Sequence, residues 1–267
     1  MDQENKISGF RAEADMLVPL VEQAESLIQP LSGRLQILFE VQSAAGVPDL
    51  VLAVFDSQEL ARRERYGLPA VTDAPDVAVM TVLGALAARS SEATLTPTQL
   101  SRFTGVTSSH LSSAVLKRLA DNGHIKRVKR GHWAATHPFK PLAHQIVSIE
   151  TKLNDWRRGF WQAHRQAADY TWLVMDEMHS FGLSSKREYF LSNKVGLATL
   201  SAVSGYLDVI VPALCRKPLS MHRNLLIERA ADLYLSGKVS GPLTPVFGRQ
   251  LLSTRGADPR LISVAVH

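Results

Sequence analysis

The sequence contains one cysteine, Cys215, among 267 residues. An internal disulfide is therefore excluded, and so is a zinc site built on thiolates. No histidine is placed to activate that thiol, so its expected role is packing. The nine histidines show no His-x-x-x-His or comparable ligand spacing on one helix, and no zinc site is expected from them. Long hydrophobic runs are absent as well. The longest, such as Asp49 to Phe55, fall far short of the roughly 20 apolar residues a spanning helix needs. The segment Met1-Asp2-Gln3-Glu4-Asn5-Lys6 lacks the basic and apolar parts of a signal peptide, so a cytoplasmic protein without a membrane partner is expected. Internal repeats and low-complexity tracts are also missing.

A composition of 45% hydrophobic and 21% charged residues fits one large or two small domains with an ordinary core. The net charge of +5 permits a nucleic-acid partner without demonstrating one. Residues 11–29 carry Leu17, Leu20, Val21, Ala24, Leu27 and Ile28 at helical spacing, with Glu22 and Glu25 on the flank, and Pro30 and Gly33 as stop signals. Two strand-length runs follow, 35–41 and 49–55, joined by a segment ending in Gly46-Val47-Pro48. Pro48 cannot donate to a ladder, which suits a strand entrance and puts Asp49 at the first pleated position. Residues 57–66 form a charged helix, either a solvated face or a DNA-contacting one.

Residues 68–76 have the Pro-bearing composition of a linker. Helices are expected over Val77–Arg89, over Pro97–Phe103 after Thr96, and over Ser108–Asn122 after Thr107, with Gly105 in the turn between the last two. Gly123 ends the third, and 124–136 reads as two short strands around Arg130-Gly131. The run Leu95-Thr96-Pro97-Thr98-Gln99-Leu100, then Thr107 to Leu116, then Leu119 to Ile125, resembles a winged helix-turn-helix. That resemblance makes 77–136 a module whose groove-reading helix presents Ser108, Ser109, His110, Ser112 and Lys117. Lys126, Arg127, Lys129 and Arg130 then form its wing. Between Val77 and Thr136 eight bases face two acids, a net of +6 that leaves the rest of the chain nearly neutral. A basic module on a neutral body is what phosphate attraction selects, although such modules also dock proteins.

The stretch Ile146-Val147-Ser148-Ile149-Glu150-Thr151-Lys152 is the centre of the second half. Alternation along a strand puts Glu150 and Lys152 on one face and Ile149 and Thr151 on the other. An acid and a base there need a cleft, a metal ion or each other; taken alone, Glu-x-Lys is a surface ion pair on an edge strand. Asn154 or Asp155 caps a helix to about Ala168, with Trp156, Gly159, Phe160, Ala163, Ala167 and Tyr170 as its apolar stripe. Strands follow at 171–175, 195–200 and 206–211, the last either core or an interface for a second copy. Asp176 and Glu177 read as turn residues. A closing helix spans Ser220–Leu235, and the Gly/Pro-bearing remainder is irregular.

With 77–136 set aside, the flanks join into an α/β layout with one mixed sheet. Gly46-Val47-Pro48-Asp49, Glu150-Thr151-Lys152 and Gln166-Ala167-Ala168-Asp169-Tyr170 resemble the PD-(D/E)XK nuclease superfamily, including the Gln-x-x-x-Tyr element of some branches. The similarity covers roughly 11–56 and 140–212. It implies a restriction-endonuclease-like core at 1–67 and 137–267, with a mixed central sheet flanked by helices and an inserted α+β winged-helix domain. It further implies Mg²⁺ or Mn²⁺ held by Asp49, Glu150 and the Thr151 carbonyl, with Lys152 orienting the attacking water and Gln166 and Tyr170 positioning the lysine or the DNA. The chemistry agrees, because phosphodiester hydrolysis needs a hard cation on carboxylate oxygens to offset developing charge. Glu22 or Glu25 is a further candidate carboxylate, or simply a solvated flank. The resulting expectation is a metal-dependent DNA nuclease. A DNA-binding regulator on a nuclease-like scaffold is the alternative, and RNA as substrate and a homodimer stay open.

Overall fold

The computed structural model describes residues 9–28, 34–90 and 93–237, together with the backbone of 264–265. Six strands of the body form one mixed sheet: β1 (Arg34–Phe39), β2 (Leu50–Phe55), β5 (Ala143–Lys152), β6 (Tyr170–Asp176), β7 (Val195–Leu200) and β8 (Leu207–Val211). Their spatial order is β8-β7-β6-β5-β2-β1, and a two-residue strand, β9 (Val264–Ala265), pairs outside β1. The central pairs β5–β6 and β6–β7 are parallel, while β1–β2, β2–β5 and β7–β8 are antiparallel. Strand β2 is buried along its whole length, which its unbroken Leu-Val-Leu-Ala-Val-Phe run requires of a strand covered on both faces.

One face of the sheet, with Leu50, Leu52, Val147, Ile149, Trp172 and Val174, packs under Met16, Leu20, Ala24 and Leu27. These last come not from the single helix expected over 11–29 but from three short pieces, Glu13–Met16, α1 (Leu17–Glu22) and Ala24–Leu27. Pro19 has no N–H to donate and is tolerated only in a first turn, so a helix running through it from residue 11 is disfavoured. The opposite face is covered twice. Val51, Ala53, Phe55 and Ile146 meet α9 (Ser220–Ser236) through Leu226, Ile227 and Ala230. Leu173, Met175 and Leu197 meet Phe160 and Ala163 of α7 (Trp156–Arg165) and Phe190 of α8 (Arg187–Ser192). Helix α8 had no counterpart in the sequence reading.

Between β2 and β5 the chain makes an excursion through α2 (Ser57–Arg65), α3 (Ala74–Ala87), α4 (Pro97–Thr104), α5 (Ser108–His110) and α6 (Leu116–Asp121), then the hairpin of β3 (Ile125–Lys129) and β4 (His132–Ala135). Asp56 N–H donates to Leu142 O at 2.9 Å, so the excursion leaves and rejoins the sheet at one point. Thr96 caps α4 through Gln99, Gly105 ends it at φ 72°, and Thr107 caps His110. Helices α5 and α6 are continuous through Leu111–Val115, which winds as a π-helix. Leu95 bridges to Trp133, adding a third short extended piece to the hairpin. These elements share their own core of Val77, Met80, Leu83, Leu100, Leu111, Val115, Leu119 and Ile125, joined by Leu225 of α9.

The expected linker at 68–76 is instead tied down. Helix α3 begins at Ala74, ahead of the expected Val77, because Pro75 sits in its first turn where an N–H is not needed. Arg63 of α2 reaches Glu228 of α9 at 2.7 Å, and Glu228 also accepts from Val71 N at 2.8 Å. Burial pushes the Glu228 carboxyl up, and Arg63 opposes that shift. Arg229 Nε donates to Thr72 O at 2.9 Å. The body and the excursion are thus stapled through one buried charge pair.

Candidate active site

The loop from Glu40 to Asp49 returns the chain tightly: Glu40 adopts φ 49°, Ser43 bridges to Gly46, and Asp49 arrives just before β2. Asp49 Oδ2 accepts from Thr151 N at 2.7 Å and from Thr151 Oγ1 at 2.8 Å. Residues 102 apart in sequence are thereby joined at the carboxyl end of β5. That end of parallel strands is where open α/β sheets place their sites.

Glu150 lies on the α7 face of β5 and is only 2% exposed. Burial, and then the charge of Asp49, pushes its carboxyl up to about 7, against the opposing pull of Lys152 and of a hydrogen bond from Gln166. Lys152, two residues on and equally sequestered, donates through Nζ to Glu13 Oε2 at 2.9 Å and to Thr151 O at 2.7 Å. Its stem lies against Gly159 of α7, where a Cβ would stand 2.6 Å from Lys152 Cγ. Gln166 follows directly after α7. Its Nε2 donates to Glu150 Oε1 at 3.2 Å, and its Oε1 accepts from Ser43 Oγ at 2.7 Å.

Asp49, Glu150, Thr151, Lys152 and Gln166 therefore converge, but Tyr170 does not join them. Helix α7 stops at Arg165 rather than near Ala168, because Gln166 turns to an extended ψ of 142°. Tyr170 is then the first residue of β6, opposite Val147, and packs on the other face of the sheet with the Leu50–Ile149 cluster. Burial raises its phenol, with a further contribution from Cys215. Cys215, expected to pack, is exposed. The Thr151 carbonyl expected as a metal ligand is the acceptor of Lys152 Nζ.

Two contributors were missed. Glu13 reaches Lys152, whereas Glu22 and Glu25 are exposed. Ser43 orients Gln166 while accepting from Ala45 N at 3.0 Å. Neither stands in a motif, and only contacts spanning more than a hundred residues reveal them. Asp176, expected in a turn, is wholly buried and accepts from Phe10 N at 3.0 Å, pinning the segment that delivers Glu13.

Among the described residues no three Asp, Glu, His or Cys side chains gather into a group able to hold a metal ion. Two acids do converge, and Mg²⁺ is commonly held by one or two carboxylates plus water and substrate phosphate. Burial and Asp49 raise the Glu150 carboxyl, and a cation held there would favour its ionised form. The donor set thus fits a hard divalent cation.

On the excursion, Ser109, His110, Ser112, Lys117, Lys126, Arg127, Lys129 and Arg130 are exposed and Ser108 is half-buried. Arg118, in contrast, is committed to Asp76 through contacts of 2.7 and 2.6 Å. A scan against protein-family models and searches of curated proteins and of solved structures found no match.

Proposed function

We propose that this chain is a metal-dependent nuclease of the PD-(D/E)XK type that hydrolyses DNA phosphodiester bonds, with 77–136 acting as a winged helix that holds the DNA. The observation that carries the reading is the meeting of Asp49, Glu150 and Lys152 at one strand end, tied by Thr151 and Gln166. Asp49 and Glu150 would hold Mg²⁺ or Mn²⁺, which when bound neutralises charge gathering on the phosphate and acidifies a water. Thr151 fixes the Asp49 carboxylate, and the Gln166 amide fixes that of Glu150. Lys152, at 5% exposure, places its amine in a poorly solvated spot where it would act strongly on an anion and orient the attacking water. The exposed bases of the β3–β4 hairpin and the π-wound helix supply phosphate contacts away from the chemistry.

Mg²⁺-dependent cleavage of duplex DNA is expected, and Asp49→Ala, Glu150→Ala and Lys152→Ala should each abolish it while the proteins stay folded and bind DNA. Cleavage surviving in all three variants overturns the proposal. A second reading, a DNA-binding regulator on this scaffold, is favoured by one contact: Lys152 already has both Glu13 and Thr151 O as partners. DNA binding without cleavage under any divalent cation would select it.

A further inference from the structure

The outer face of α7 carries a stripe that neither the core nor the acidic site uses. Arg157, Trp161 and Arg165 stand at i, i+4 and i+8, all exposed, and so project from one side of the helix over about 12 Å. Trp161 is 50% exposed, far more than a large apolar ring ordinarily shows to water. It is the outer member of a ring cluster: Trp161 lies 5.3 Å from Phe160, Phe160 lies 4.5 Å from Tyr189 of α8, and Tyr189 lies 6.2 Å from Trp156. The Arg157 guanidinium sits 5.5 Å from the Trp156 ring. Lys186 and Arg187 precede Tyr189 by three and two residues and are exposed too.

Charge makes the face selective. Among the described residues none of Arg157, Arg158, Arg165, Lys186 or Arg187 pairs with an acid. Arg157 and Arg158 occupy the first turn of α7, which carries no acidic residue, although helix N-termini favour acids over bases. Acids on the same elements are Asp155, which caps α7, and exposed Glu188. Alternating guanidinium and exposed aromatic ring on a rigid helix is the chemistry that grips a strand whose bases are unpaired, phosphates on the arginines and a base on the indole. The same helix packs its opposite face on Lys152 through Gly159, so the stripe is carried by the element that also walls the acidic site.

We infer that the Arg157–Trp161–Arg165 face of α7, with Tyr189 beside it, binds single-stranded nucleic acid. Taken with the proposed function, this makes the substrate one with an unpaired segment held on α7, and to that extent it rests on the nuclease reading, although the binding itself does not.

The test is fluorescence anisotropy of labelled oligo-dT and oligo-U with the full chain in EDTA, where no cleavage occurs. Trp161→Ala should weaken binding roughly 5- to 150-fold, the range of one lost base–ring stack, while Trp161→Phe retains most of it. Arg157→Ala with Arg165→Ala should lower the salt slope by about 1.4, at about 0.7 for each single-strand phosphate contact. A preference for oligo-dT or for oligo-U assigns the strand as DNA or RNA, and either supports the inference. Equal affinity of wild type, Trp161→Ala and the double variant overturns it. So does a Trp161→Ala protein that changes sedimentation state rather than strand affinity, which would make the face a protein contact. Asp49→Ala should bind as wild type does, so loss of cleavage with strand binding intact bears on the nuclease reading alone. Unchanged binding by the α7 variants, with cleavage intact, bears on this inference alone.

Discussion

Glu150→Gln removes one ionisable proton and little else, which makes it the sharpest probe of the buried acid pair. The folded chain raises this carboxyl from 4.5 to about 7, chiefly by burial and next by Asp49. At about 1.4 kcal/mol per pKa step, ionising it in the fold costs about 3 kcal/mol more than ionising it in the unfolded chain. Because the folded state holds the proton to higher pH, the stability from the neutral acid is fully present below 4.5 and is lost as pH rises through about 7. Glutamine keeps the shape and can still accept from Gln166, but it never ionises. In EDTA the variant should match wild type near pH 4.5 and exceed it by about 3 kcal/mol at pH 8.5. For a chain of this size that is a rise in Tm on the order of 5–10 °C. Urea unfolding at a series of pH values measures the difference directly. Adding Mg²⁺ at a hundredfold excess over its Kd should return about 2.7 kcal/mol to wild type at pH 8.5, and much less to the variant. A gain that is the same at pH 5 and pH 8.5, or a loss at pH 8.5, refutes the reasoning.

The other expectations concern the frame around the site. Arg63→Leu should cost about 3–5 kcal/mol, because it leaves the Glu228 carboxylate buried without its cation. Arg63→Leu with Glu228→Leu should recover most of that loss, and urea unfolding of the four-protein cycle checks both. Gly196→Ala places a methyl 2.3 Å from Trp172 Cε3, inside the packed β6–β7 layer. A loss of about 1–3 kcal/mol is expected, with a shift in near-ultraviolet circular dichroism as the indole moves; an unchanged spectrum and Tm would show that the ring has room.

The strands were legible because their side chains must face two apolar layers. Ile146-Val147-Ser148-Ile149 and Val195 to Leu200 could hardly sit elsewhere, and both are buried strands. Pro48 likewise marked where β2 begins. Long-range contacts overruled local pattern elsewhere. Tyr170 falls at helical spacing after Gln166, but Gln166 is held by Ser43 and Glu150 and the helix ends before it. The 68–76 segment has a linker's composition, yet Val71 N finds the Glu228 carboxylate. Glu13 could not be singled out from Glu22 or Glu25, since its proximity to Lys152 depends on Phe10 being fastened to Asp176 at the end of β6.

The hydrogen bond from Asp56 to Leu142 closes a narrow neck beneath everything between α2 and the hairpin. Below that neck β2 and β5 keep their ladder from Leu50–Ile149 to Ala53–Ile146 without slippage. A change in the length of the β3–β4 hairpin or of the turn after α4 leaves the Arg63–Glu228 pair and Leu225 in place, and so does not bear on the alignment of those two strands or the approach of Asp49 to Thr151. Variation confined to those outer turns would alter the surface carried above the neck while Asp49 and Thr151 kept their places.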